Sequence, residues 1–275
     1  MSVSLTWIQG LNLFVPDHGG ETIVKLEVDM DQDRFYSSVS GYYDEIFPLN
    51  PKQIGFIVEE LGSLEERYFL DVGCSTGKLA NGLCQLGALG VGIDLNEDMI
   101  RQAKASYSSA SLNFRKMNML HLNNAFPLRY FDTVICFGNT LVHLNSYAEV
   151  KVFLSNVSGL LKSGGKLLLQ ILNYDYILDK QITELPVIEN KHIHFTRQYT
   201  LPDAGEQTIA FRTRLAVKSS GDYLENSTPL LPVRKKELER MLYTAGFKQL
   251  RFYAGFEREA YSGDHLPLVV VAENE

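Results

Sequence analysis

From Tyr68 to Leu172, short apolar runs alternate with amphipathic stretches. The first run, "YFLDV", breaks into a glycine turn, "GCSTG", just before a helix begins. A strand that feeds a helix in this way must be rejoined by a parallel strand, because the chain has to cross back over the sheet. Repetition of that unit restricts the fold to a parallel sheet with helices on both faces. "LGVGID", "LNFRKMN", "FDTVICFG" and "GGKLLLQIL" read as the next four strands. The first crossover helix is expected over 76–86, ending at Gly87. "NEDMIRQAKAS" reads as a helix capped by Asn96 with Glu97 and Asp98 in its first turn, and "SYAEVKVFLSNVSGLL" as another. Upstream, Asn50, Pro51 and Gly62 bracket a helix as cap, first-turn proline and terminator.

The rhythm changes after Asn173. "IHFTRQYTL" and "QTIAFRTRLAVKSS" alternate polar and apolar residues, as antiparallel strands with one solvated face do. "RKKELERMLYTAGF" restores a helix, and "KQLRFYAGF" and "HLPLVVVAE" read as two last strands. Residues 176–232 are therefore expected to form a late antiparallel insertion, a lid over the carboxyl edge of the sheet, where open α/β sheets bind ligands. Two strand-like runs before residue 35, separated by "PDHGG", predict a β-hairpin arm over 1–35, with the main domain over 36–275. That arm could join copies of the chain into a homo-oligomer.

With 275 residues, 45% of them hydrophobic, the chain can bury a sizeable core. Its net charge of -7 disfavours a nucleic-acid partner, whose affinity would rest on Lys and Arg neutralising phosphates. No apolar run approaches the length of about 20 residues that a membrane span needs. "MSVSLTWIQG" has neither the basic flank nor the apolar core of a signal peptide. Cys74, Cys84 and Cys136 lack metal-ligand spacing and leave an odd count, which predicts a reduced, cytoplasmic protein.

Three ligands suit a glycine turn after the first strand. A P-loop needs Gly-Lys-Ser/Thr, which is absent. The dinucleotide fingerprint G-x-G-x-x-G of a NAD(P)-dependent oxidoreductase is missing too, with Ser75 where its middle glycine belongs. The third reading takes in Asp71. An acid just ahead of the turn would repel a pyrophosphate and suits a cation such as S-adenosylmethionine, which carries a sulfonium and an ammonium.

On these residues the chain resembles the class I S-adenosylmethionine-dependent methyltransferases, over residues 40 to 272. "LDVGCSTG" is similar to the family's acid–glycine loop, "GVGIDLNEDMI" to its second motif, "KMNML" to its third and "FDTVICFGNTLVHL" to its fourth. The resemblance implies a Rossmann-like seven-stranded, mostly parallel sheet whose last strand is antiparallel. It also implies a cofactor site built from Asp71, Gly73, Cys74, Gly77, Asp94, Leu95, Met99, Asn118, Met119, Phe137 and Gly138. In the family the acid at Asp94 accepts from both ribose hydroxyls, and the residue at Asn118, usually Asp, accepts from the adenine amino group. A methyltransferase acting on a small molecule follows, by N- or O-methylation. A non-catalytic S-adenosylmethionine-binding protein is the alternative.

No Asn/Asp-Pro-Pro-Tyr/Phe/Trp motif follows the fourth strand, which argues against methylation of exocyclic base amines. No acid cluster points to a magnesium site. "CFGNTLVHL" and "NYDYIL" resemble segments of glycine and sarcosine N-methyltransferases. That branch implies Asn139 and Tyr174 as substrate contacts and Tyr43 and His143 as catalytic groups. An arginine that grips the substrate carboxylate there corresponds to Leu172, so glycine is expected to be a poor acceptor. His192 and His194 alternate along a strand with no third ligand, so no metal site is expected.

Overall fold

The computed structural model describes residues 36–37, 39–202 and 205–275. The arm expected over 1–35 lies outside them. Seven strands form the main sheet: β1 (Tyr68–Val72), β2 (Leu89–Asp94), β3 (Leu112–Lys116), β4 (Phe131–Cys136), β5 (Leu161–Leu172), β10 (Phe247–Tyr253) and β11 (Pro267–Asn274). Their order is β10-β11-β5-β4-β1-β2-β3. β1 pairs in parallel with both β2 and β4, whereas β11 runs antiparallel to both β5 and β10. The chain therefore starts at the centre, builds outward to β3 and returns past β1 to β4. Strand order reverses beside β1, and the crevice at the carboxyl ends of β1 and β4 is the place such a sheet offers a ligand.

The flanking helices follow their caps. α1 (Tyr43–Ile46) precedes α2 (Pro51–Leu61), and Asn50 accepts from Lys52 N at the start of α2. α3 (Lys78–Cys84) starts two residues later than expected, because Gly77, in left-handed conformation with φ of 82°, occupies its N-cap. α4 (Glu97–Tyr107) is capped by Asn96 and α5 (Tyr147–Leu160) by Ser146, each side chain accepting a backbone N–H from the first turn. Buried apolar residues line both faces of the sheet, Val72, Val134 and Leu169 on one side and Phe69, Ile135 and Leu168 on the other.

The insertion is a second sheet of four antiparallel strands: β6 (Glu184–Glu189), β7 (Ile193–Thr200), β8 (Ile209–Val217) and β9 (Tyr223–Leu230). It follows α6 (Tyr174–Asp179), and α7 (Lys235–Thr244) leads back to the main sheet. Pattern reading identifies β7 and β8 but not β6 or β9. Those two strands carry Pro186 and Pro229, and they stand at the two edges of the sheet, where a missing N–H is tolerated. The expected third strand also ends early, at Lys116, because Asn118 turns the chain into a short 3-10 helix over Met119–Asn124.

Candidate active site

The turn after β1 is held from behind. Gly73 N and Cys74 N both donate to Ile93 O at the end of β2, at 2.8 and 2.9 Å. Asp94, one residue further, receives Ser75 N on Oδ2 and Asn96 N on Oδ1, each at 2.9 Å. One carboxylate thus fixes the glycine turn and the entry to α4. A carboxylate offers about four lone-pair sites, so its two oxygens can accept from a ligand while holding these N–H groups.

Around this point lies a cavity of about 350 Å³. Of the residues expected at the site, Tyr43, Gly73, Asp94, Leu95, Met99, Asn118, Met119, Phe137, Gly138 and His143 line it. Asp71 and Cys74 line an adjoining hollow that shares Tyr43, Gly73, Phe137 and Gly138 with the first. Asp71 is buried, and its Oδ2 has no hydrogen-bond partner among the described residues. Burial, reinforced by the charge of Asp94, pushes its carboxyl up to about 7. A buried acid without a partner is costly, and a cation placed in the hollow would relieve it.

Asn118 faces the cavity, but its Oδ1 accepts from Leu120 N at 2.8 Å and so caps the turn that follows. Three expected site residues line neither hollow. Gly77 packs instead, since a Cβ there would stand 2.5 Å from Cζ of Phe114. Asn139 adopts a left-handed conformation, with φ of 69°. Its Nδ2 donates to the hydroxyl of Tyr174 at 3.1 Å, and its Oδ1 accepts from Leu172 N at 2.9 Å. Tyr174 is fully buried. The pair ties β5 to the chain leaving β4 and thereby positions the 3-10 helix Thr140–His143, which carries His143 into the cavity.

His143 shares a hydrogen bond of 3.1 Å between its Nε2 and the hydroxyl of Tyr36, while its Nδ1 is buried without a partner among the described residues. Burial lowers its pKa to about 4 and raises that of the Tyr36 hydroxyl, so both groups stay neutral near pH 7. Sequence reasoning singled out Tyr43 and passed over Tyr36, which lines the same cavity. Nothing in the tyrosine-rich stretch distinguishes them before the chain folds. The segment that carries them is pinned to the glycine turn, because Thr76 Oγ1 donates to Asp44 Oδ1 at 2.6 Å and Lys78 pairs with Asp44 at 3.0 Å. His192 and His194 do not converge, since the first pairs with Glu45 and the second with Glu189.

The arrangement combines one buried acid behind a glycine turn, an oriented carboxylate at the next strand end and a neutral His–Tyr pair in the same cavity. It can hold a ligand with cationic and hydroxyl groups and present an uncharged acceptor to it. Residues 69–165 match the model of a methyltransferase domain family. A protein of Geobacillus sp. (strain WCH70) that carries a methyltransferase name is 31% identical over 240 residues, covering 82% of this chain and 94% of its own length. The glycine/sarcosine N-methyltransferase of Aphanothece halophytica is 24% identical over 260 residues, covering 91% and 93%. Among solved structures, an S-adenosylmethionine-dependent methyltransferase from Clostridium acetobutylicum ATCC 824 superposes with a TM-score of 0.73 at 18% identity, covering 87% of this chain and 99% of that one.

Proposed function

This chain belongs to the class I S-adenosylmethionine-dependent methyltransferases, and from that premise we propose that it methylates a nitrogen of a small-molecule amine. When bound, S-adenosylmethionine supplies the electrophilic methyl group. We assign Asp71 to its cationic groups, Asp94 to its ribose hydroxyls, and Gly73, Gly138, Leu95, Met99, Met119 and Phe137 to the walls around it. The orphaned Oδ2 of Asp71 supports this fit, since a cation is the ligand that satisfies it.

The observation that carries the amine reading is the half-buried His143–Tyr36 pair. An imidazole whose pKa lies near 4 does not store a proton at neutral pH. His143 therefore acts as a hydrogen-bonding group that receives an already neutral amine and aims its lone pair, and the pocket selects against the ammonium form. Most of the acceleration then comes from holding nucleophile and methyl group in line, worth on the order of 7–11 kcal/mol for well-oriented partners. Tyr43 adds a second hydroxyl to the same wall. The four-stranded insertion serves as a lid over this end of the molecule, and the chain leaving β9 already meets the 3-10 helix that carries His143, with Leu231 N donating to Val142 O at 2.8 Å.

Turnover of S-adenosylmethionine across a panel of amines, phenols and carboxylic acids tests the proposal. Amines are expected to support it, with kcat/KM rising with pH towards the pKa of the acceptor itself. Turnover confined to phenols would refute the amine reading. Glycine and sarcosine are expected to be poor acceptors, because Leu172 offers no donor to a carboxylate and packs against the apolar core.

Asp71 gives a second expected outcome. A cation beside it favours the ionised form, so affinity for S-adenosylmethionine should be flat above pH 7 and weaken by about tenfold per pH unit below it. In the ligand-free protein the same raised pKa acts the other way. The folded state holds a proton between 3.8 and about 7 that the unfolded state has lost, so stability declines as pH rises through that window. Calorimetry from pH 5.5 to 7.5 should show the binding slope in the native protein and its loss in Asp71→Asn. A pH-independent affinity in the native protein would remove Asp71 from the cation site.

A further inference from the structure

The inner face of the insertion sheet is apolar at both ends and polar between. At one end Ile193, Phe195 and Leu215 pack against Val39 and Ile46. At the other, Tyr199, Ile209 and Leu230 join the main core beside Leu141, Val142 and Tyr174. Between these ends, Arg197 on β7 faces Thr213 on β8, and Thr213 faces Asn226 on β9, one residue from each of three adjacent strands. Thr213 and Asn226 are more than nine-tenths buried, yet among the described residues Thr213 Oγ1 and Asn226 Oδ1 have no hydrogen-bond partner. Arg197 Nε is buried without a partner among them as well. Left so, three orphaned polar atoms on one face would each carry the full desolvation penalty of a buried polar group.

The same gap is bridged by the catalytic pair. Tyr36 packs with the first apolar cluster and His143 directly follows Val142 of the second, and the two side chains share their hydrogen bond between them. His143 Nδ1 is a fourth such atom among the described residues. The two apolar clusters set the polar row over the gap that this pair bridges, while Arg197, Thr213 and Asn226 themselves line neither hollow.

From this geometry we infer that Arg197, Thr213 and Asn226 form the acceptor-recognition surface, and that the acceptor is a polyhydroxylated amine. This rests on the reading of the protein as an amine methyltransferase. The side chains specify the ligand's groups. Asn226 uses its amide N–H on Thr228 Oγ1 at 2.7 Å, so its free oxygen calls for a ligand donor, a hydroxyl or an amine. Arg197 donates through Nη2 to Pro186 O at 2.8 Å, and its buried Nε–H calls for an oxygen acceptor. Thr213, between them, satisfies a hydroxyl in either sense. Three strands span roughly 10 Å, which suits a ligand with several hydroxyls rather than a single carboxylate.

Calorimetry on the full-length protein saturated with S-adenosylhomocysteine tests this without requiring turnover. Glucosamine, serine and catechol are the probes, and Thr213→Val and Thr213→Ser the variants. Glucosamine is expected to bind most tightly, to lose at least tenfold in affinity in Thr213→Val and to stay within about twofold in Thr213→Ser. Thr213→Val should also raise the melting temperature of the ligand-free protein, because it removes an unpaired buried hydroxyl. Tighter binding of catechol than of glucosamine, no binding of glucosamine, or equal affinities in native and Thr213→Val protein would each overturn the inference. Binding of glucosamine without methyl transfer to it would count against the catalytic reading and leave the recognition surface standing.

Discussion

An Asp94→Ala protein is expected to bind S-adenosylmethionine more weakly by about 2–4 kcal/mol, a loss on the order of 30- to 1,000-fold. Two effects add. The carboxylate that we assign to the ribose hydroxyls disappears, and hydrogen bonds to a charged group are each worth about 1.5–3 kcal/mol. The glycine turn also loses its anchor, because Ser75 N and Asn96 N both donate to Asp94. Asp94→Asn separates the two. Its amide oxygen can keep one of those backbone N–H groups while its NH₂ cannot accept anything, so it should fall between native and Ala in affinity. Calorimetry on folded protein, checked by circular dichroism, gives the numbers. Unchanged affinity in folded Asp94→Ala would sink the ribose assignment.

The parts of this site that could be read from the sequence are those set by backbone geometry. Gly73 and Gly138 stand where strands end and the chain turns with positive φ, and Asp71 and Asp94 stand beside them, so a local reading of β1, β2 and β4 finds them. The order of strands and helices was legible for a similar reason. β1, β2 and β4 are short apolar runs, each followed within two residues by a glycine or a capping residue. Tyr36 was not legible, because its partner His143 lies 107 residues away. Arg197, Thr213 and Asn226 were less so still. Each sits in the alternating pattern of its own strand, and only the register of three antiparallel strands sets them in one row. The resemblance implies Asn139 and Tyr174 as substrate contacts; neither lines a hollow, and they hydrogen-bond to each other. A motif specifies which residues occur at a bend, and packing decides which of them face inward.

Gly77 makes that distinction measurable. The motif places it in the cofactor loop, but it lines neither hollow, and its role follows from what surrounds it. Its φ is 82°, and an added Cβ would lie 2.5 Å from Cζ of Phe114 and 3.1 Å from Cβ of Ala103, both buried. Gly77→Ala is therefore expected to cost about 1–2 kcal/mol for a left-handed non-glycine residue and a further ~1–3 kcal/mol for overpacking. Gly138 is the control. Its φ is 75°, and a Cβ there would meet nothing within 4 Å among the described residues, so Gly138→Ala should incur the backbone cost alone. Urea denaturation should accordingly rank native above Gly138→Ala above Gly77→Ala. Affinity for S-adenosylmethionine, measured on the folded fraction, should suffer more in Gly138→Ala, because Gly138 lines both hollows. Equal stability of the two variants would show that the ring of Phe114 yields at no cost, and the packing role of Gly77 would fall with it.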